Sequence, residues 1–163
     1  MRFIIHELPY ERPLLAGRLR YERDGRPTGA VESWRLSDAA EGYRFLRVDL
    51  DARAAQSGHS WLYHVTLGPD GRPEQVKARF WAAGREVTTT LNVEGDEWLA
   101  TRQVDGVAFE DLAHGRAFWF PAAAGLALLR GCVDDTRGVT LLMDTSDAAR
   151  TLALCATPVT IAL

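Results

Sequence analysis

Lysine and long apolar runs are scarce in this sequence. Lys77 is the only lysine among 19 basic residues, and 22 acidic residues bring the formal charge to −3. This balance argues against a dedicated nucleic-acid binder, whose affinity rests on clustered Lys and Arg. No apolar run is long enough to span a bilayer, and Met1–Glu7 falls far short of a signal peptide's apolar region. We therefore expect a cytoplasmic protein.

Cysteine is equally scarce, since Cys132 and Cys155 are the only two in 163 residues. Both lie in apolar surroundings, where buried or partly buried thiols are expected, and a disulfide between them stays open at this point. A hydrophobic content of 47% supplies a core without disulfides. Because no pair has metal-like spacing, the sequence predicts neither a metal site nor a cofactor.

A catalytic signature is also missing. The four histidines are scattered, and on a regular strand His59 and His64 would face opposite sides of a sheet. His114, near Glu110 and Asp111, could act as a base with an acidic partner, but no nucleophile motif accompanies it. The sequence therefore favours a protein that is not an enzyme.

The stretch from Ser57 to Val107 carries the clearest pattern. Runs of about eight to ten residues with every second position apolar or aromatic alternate with Gly-bearing turns, as in consecutive antiparallel strands. Asp70-Gly71 and Asp105-Gly106 supply residues that tolerate the positive φ of tight hairpin turns. The apolar sets are Trp61, Tyr63, Val65 and Leu67; Val76, Ala78, Phe80 and Ala82; and Val87, Thr89, Leu91 and Val93.

Strand patterns also precede and follow this stretch. A hairpin is predicted around Asp24-Gly25, and Met1–Pro13 is expected to form an edge strand or a lead-in arm. One helix is predicted, over Ala122–Arg130, between Pro121 and Gly131. The other predicted strands are Leu14–Tyr21, Thr28–Leu36, Tyr43–Asp51, Arg116–Phe120, Gly138–Met143 and Arg150–Leu163.

The connections decide the fold class. They are too short to cross over a sheet, so parallel units are not expected. About ten antiparallel strands must curl because of their inherent twist, and curling also protects the sheet edges. We therefore predict one all-β, mainly antiparallel domain over residues 1–163, a curled β-meander that is barrel-like or a spiral β-roll, with one or two short helices.

Several predicted strands have a face that mixes aromatic with cationic side chains. If these faces line the hollow of the curled sheet, they suit an amphiphile with an apolar body and an acidic or hydroxylated head. Such faces also cover the outside of sheets in cross-strand pairs, and this alternative stays open. The mixed faces are His59, Trp61 and Tyr63; Lys77, Arg79 and Trp81; Trp98 and Arg102; and Tyr43, Phe45, Arg47 and Asp49. The predicted ligand-binding residues are Trp61, Tyr63, Arg79, Trp81, Trp98 and Arg102.

The meander also carries a family resemblance. Trp61-Leu62-Tyr63, Phe80-Trp81 and Glu97-Trp98 lie between its Gly-bearing turns, and a Gly131-Cys132 segment follows. In this pattern, over residues 14 to 132, the chain resembles the glycolipid-binding proteins of the spiral β-roll type. Its opening hairpin, with Arg20-Tyr21-Glu22, also resembles that of other bacterial β-meander families of unknown function. The resemblance implies a single curled sheet and a lipid or glycolipid ligand at the six predicted residues.

Three functions follow from these patterns. The first is non-enzymatic binding of an amphiphilic small molecule, lipid or glycolipid-like, in the concavity of the sheet. The second is an assembly module that forms a homodimer through an exposed face or a terminal strand. The third is a hydrolase or isomerase with His114 or His59 as its base.

Overall fold

A computed structural model describes residues 7–55, 58–82, 84–115, 117–119, 137–141 and 150–158. Strands make up most of this part of the chain, and the only helix in it is one 3-10 turn, Ala40–Gly42. The strands are β1 (Arg12–Arg23), β2 (Arg26–Asp38), β3 (Arg44–Ala52), β4 (His59–Leu67), β5 (Pro73–Ala82), β6 (Arg85–Glu94), β7 (Glu97–Val104), β8 (Val107–His114), β9 (Ala117–Trp119), β10 (Arg137–Leu141) and β11 (Leu154–Pro158).

The first eight strands form one antiparallel sheet in chain order. Each strand pairs with the next, so β1 and β8 are the two edges. Short turns make this order possible: Asp24 and Gly25 both have positive φ, 51° and 71°, as a type I′ hairpin requires. The predicted all-β curled meander is therefore confirmed.

The last three strands form a second, smaller sheet in the order β11-β10-β9. Here the sequence prediction fails in one respect, because β9 and β10 are parallel. The chain from Trp119 to Arg137 is long enough for the crossover that a parallel pair needs. The predicted helix Ala122–Arg130 lies outside the described residues.

The start of the final strand also differs from its prediction. The strand was expected from Arg150, but Arg150 to Leu152 form a turn, and β11 begins at Leu154. Leu152 has a φ of 57°, which a strand cannot accommodate, and its side chain is fully buried. Its apolar character therefore reflects packing in the core rather than a place in a strand.

The core lies against one face of the large sheet, which we call the inner face and which carries Val48, Tyr63, Phe80, Leu91 and Ala100. Side chains of one parity on every strand point to this face, because successive residues of a strand alternate between the two faces. Leu141 and Leu152, from the smaller sheet and the turn before β11, belong to the same buried cluster.

Towards β1 the inner face becomes more exposed. The indole of Trp34 lies across Gly17, where a Cβ atom would come within 2.5 Å of the ring. Gly17 and Trp34 are paired residues on β1 and β2, so glycine is needed at 17 for the indole to pack on the strand. Leu15 and Leu19, on either side of Gly17, are exposed.

The opposite face, which we call the outer face, is held to the N-terminal segment by a buried ion pair. Nη1 of Arg47 donates to Oε2 of Glu11 over 2.6 Å, and Oγ of Ser37 donates to the same oxygen over 2.6 Å. Arg35 binds Glu7 nearby. The segment expected to be an edge strand or an arm therefore crosses the outer face from Glu7 to Glu11, while residues 1–6 lie outside the described residues.

The Glu11–Arg47 pair is expected to be important for stability. Burial raises the pKa of Glu11, but the hydrogen bonds from Arg47 and Ser37 lower it by more than burial raises it. The carboxylate therefore titrates below its ordinary value of 4.5. Glu11→Gln should leave Arg47 buried without a counter-charge and lower the free energy of unfolding by about 3 kcal/mol at pH 7. The deficit should shrink as the pH falls below 4.5, where the wild type protonates Glu11. Urea unfolding of the wild type and the variant, at pH 7 and at a pH below 4.5, measures the difference in the free energy of unfolding.

The control breaks an exposed ion pair instead. Arg12→Gln removes the pair between Arg12 and Asp38 on the surface of the β1–β2 hairpin, and it should cost no more than about 1 kcal/mol. Equal losses in the two variants would show that the buried pair makes no special contribution to stability.

Candidate functional site

The structure separates the six predicted ligand-binding residues into two groups. Four of them, Trp61, Tyr63, Trp98 and Arg102, lie on the inner face and are at most 2% exposed. Arg79 and Trp81 lie on the outer face, because the register of β4 and β5 places Phe80 opposite Trp61. The six side chains therefore do not converge on one site.

Trp61 and Tyr63 form the centre of the core. Their rings stack with centroids 6.4 Å apart, and Trp61 also contacts Phe80 at 4.4 Å. Burial, and secondly the charge of Glu32, raise the pKa of Tyr63, so its hydroxyl stays protonated. Nε1 of Trp61 has no hydrogen-bond partner among the described residues. A ligand would reach these rings only if the core opened.

Trp98 and Arg102 have structural contacts at the other side of the inner face. Nε1 of Trp98 donates to the carbonyl oxygen of Gly115 over 2.7 Å. Nε of Arg102 donates to Oδ2 of Asp111 over 3.3 Å, and the same carboxylate oxygen accepts the backbone N–H of Leu154 over 3.3 Å. Arg102 and Asp111 thus connect the large sheet to the start of β11.

Arg79 and Trp81 interact with each other on the outer face. The guanidinium of Arg79 lies 4.6 Å from the ring centroid of Trp81, and its Nε donates to Oε1 of Glu86 over 2.6 Å. Both side chains are partly exposed. The first contact lies within β5 and the second joins β5 to β6, so this mixed face covers the outside of the sheet, the alternative to a ligand-lining face.

A pocket of about 910 Å³ lies where the inner face meets the tip of the β1–β2 hairpin. The connection after β3 and the first residue of β4 form its other side. None of the six predicted residues lines it. Its less exposed lining consists of Tyr21, Thr28, Ala30, Leu50, Ala52, Ala55 and His59, and its exposed lining consists of Glu22, Arg23, Asp24, Arg26 and Pro27.

Hydrogen bonds hold the hairpin wall of this pocket in place. The hydroxyl of Tyr21 donates to the fully buried carboxylate of Glu32. Oγ1 of Thr28 donates to the carbonyl oxygen of Tyr21 over 2.9 Å and accepts the N–H of Ala30 over 3.2 Å. These bonds connect the end of β1 to the start of β2 where the two strands line the pocket.

Gly29 brings the hairpin against the other side of the pocket. Its φ is 83°, and a Cβ atom there would lie 2.9 Å from the carbonyl oxygen of Ala54. Any other residue would be strained at this φ and would also push the two walls apart. The sequence shows the turn at Asp24-Gly25, but it does not show that the connection after β3 packs against this hairpin.

The catalytic alternatives gain little from the geometry. His114 and Asp111 lie on opposite faces of β8, since Asp111 pairs with Ala100 of the inner face. His59 lines the pocket, whereas His6 lies outside the described residues. No group of three metal-binding side chains occurs within the described ranges.

Comparisons with known proteins found no matching family model, no matching curated protein and no matching solved structure. The resemblance to the glycolipid-binding β-rolls therefore stays a prediction. No helix in the described part of the chain is long and apolar enough to cross a membrane. Cys132 lies outside the described residues, so its pairing with Cys155 also stays open.

His64 lies on the outer face, and its surroundings should make the stability of the fold depend on pH. Burial, and secondly the charge of Arg47, lower its pKa to about 4, whereas the unfolded chain should titrate near the ordinary value of 6.5. The unfolded state thus binds a proton first, and stability should fall as the pH drops from 6.5 towards 4. The variant His64→Gln should lose less stability than the wild type between pH 7 and pH 5. Urea unfolding at the two pH values measures the difference. An imidazole that titrates above pH 6 in NMR spectra would contradict the expectation.

Proposed function

We propose that this protein binds an amphiphilic small molecule, lipid or glycolipid-like, without catalysing a reaction on it. The supporting observation is the pocket of about 910 Å³ at the β1–β2 hairpin. Its volume lies within the range of small-molecule sites, which are mostly apolar with a few placed polar groups.

The pocket has the two chemical environments that such a ligand needs. Leu50 and Ala52 are buried members of the hydrophobic core and also line the pocket, so an apolar chain laid against them would extend the core. The charged residues of the lining are exposed and would meet a polar head at the solvent side. The expected ligand is the one predicted from the sequence, but the site differs from the predicted set of residues.

Filling the pocket should weaken binding. Ala55 lines the pocket at a bend outside the strands, so Ala55→Phe should occupy the apolar space without disturbing a ladder. Binding of decanoate, measured by isothermal titration calorimetry, should weaken at least about tenfold. Ala54→Phe is the matched control, because Ala54 is the exposed neighbour outside the lining.

The two variants must differ for the proposal to hold. Equal decanoate affinity in the wild type and in Ala55→Phe would place the ligand elsewhere, and no binding to any alkyl amphiphile would overturn the function. Native mass spectrometry of protein purified from its own host would identify a retained ligand.

A second candidate function, assembly into a homodimer, is favoured by the edge strand β1. Leu15 is 61% exposed and Leu19 is 40% exposed on this strand. If two copies pair antiparallel about Gly17, Leu15 of one lies opposite Leu19 of the other. The same register sets Arg12 opposite Glu22, which are oppositely charged.

A charge on this edge should prevent such a dimer. Leu15→Lys would place an ammonium group opposite a leucine of the second copy and should give a monomer in analytical ultracentrifugation. Leu112→Lys on β8 is the control, because Leu112 is similarly exposed, at 58%, on another strand. A wild-type protein that remains monomeric at millimolar concentration would rule out this candidate.

A further inference from the structure

Two arginines face each other at the tip of the β1–β2 hairpin. Arg23 and Arg26 are directly paired residues on either side of the turn Asp24-Gly25. Side chains in this position are separated at Cβ by only about 5 Å, and like charges placed so destabilise a sheet. A group that neutralises both would remove this cost.

The described part of the chain provides no such group. Within the described residues neither Arg23 nor Arg26 forms an ion pair or a side-chain hydrogen bond, although the acidic residues Glu22 and Asp24 are near them in sequence. Glu22 pairs in the ladder with Pro27 rather than with an arginine. Glu22 and Asp24 line the same pocket, so an anion bound there would lie near two carboxylates as well as the two guanidinium groups. By contrast, several arginines of the described part do form ion pairs, among them Arg12, Arg35, Arg47, Arg53, Arg72, Arg79 and Arg102.

The position of the two arginines relates them to the pocket. Both line it, together with the apolar side chains of Leu50 and Ala52. The type I′ turn, with positive φ at Asp24 and Gly25, fixes the direction in which the two strands leave it. Both arginines are exposed members of the lining, whereas Leu50 and Ala52 are buried ones, so the arginines lie at the solvent side of the pocket.

We propose that Arg23 and Arg26 together bind an oxyanion, the carboxylate or phosphate head of the amphiphile whose chain occupies the pocket. A guanidinium group presents parallel N–H donors that match two oxygens of such a head, and two of them can share one anion. The anion would lie between two like charges and screen their repulsion. This inference rests on the proposed function for the chain of the ligand, and it adds the chemical class of the head.

The test compares ligands that differ only in the head group. Isothermal titration calorimetry with decanoate, decyl phosphate and decanol should show the two anions binding about tenfold or more tighter than the alcohol. In the double variant Arg23→Gln/Arg26→Gln, both anions should bind only as well as decanol. Arg18→Gln/Arg20→Gln is the matched control, since these arginines lie on the same strand outside the pocket lining.

Stability gives a second readout that does not depend on the alkyl chain. Without any ligand, Arg26→Gln should raise the urea midpoint slightly, because it removes one of two facing like charges. Inorganic phosphate should raise the midpoint of the wild type and leave that of the double variant unchanged.

The outcomes separate the two proposals. Equal affinity for decanoate, decyl phosphate and decanol would overturn the oxyanion site and leave amphiphile binding intact. Stabilisation by inorganic phosphate that needs both arginines, without binding of any alkyl ligand, would support the arginine pair and overturn the proposed function. Loss of decanoate binding in the Arg18/Arg20 control would also overturn the assignment, because the effect would then be one of general charge.

Discussion

The ladder from β2 to β8 keeps side chains of one parity on a single buried face, and the rest of the molecule depends on this alternation. Along seven neighbouring strands the inner positions stay aligned, so that Val48, Tyr63, Ala78 and Thr89 follow one another across the sheet. A slip of one residue in any strand would exchange its two faces. This register therefore determines which apolar and polar side chains are buried on the inner face and which of them line the pocket beside the β1–β2 hairpin.

The alternation explains why the strands could be predicted and the site could not. Period-two patterns and Gly-bearing turns are local, and they correctly predicted the hairpins of the large sheet. Which face is buried depends on neighbours far along the chain. On β4 the aromatic side chains belong to the core, whereas on β5 Arg79 and Trp81 lie on the outer face, although both strands carry similarly mixed patterns.

Contacts between distant segments account for what the sequence did not show. Glu11 and Arg47 meet through an approach of the N-terminal segment that no strand pattern encodes. Asp111 appeared as an acidic neighbour of His114, yet its carboxylate binds Arg102 and the backbone of Leu154. The parallel pairing of β9 with β10 depends likewise on a crossover whose path cannot be read from residue spacing. Asp111, which the sequence suggested as the acidic partner of a catalytic base, thus has a structural role instead.

Leu50 and Ala52 belong both to the hydrophobic core and to the lining of the pocket. A molecule in the pocket would therefore contact the same apolar surface that is buried on folding. A molecule that binds there and not to the unfolded chain shifts the folding equilibrium by mass action. Because the net stability of a folded chain is a small difference between large opposing terms, such linkage would make resistance to unfolding depend on the concentration of the proposed ligand. In a cell, the lifetime of this protein would then follow the supply of the proposed ligand.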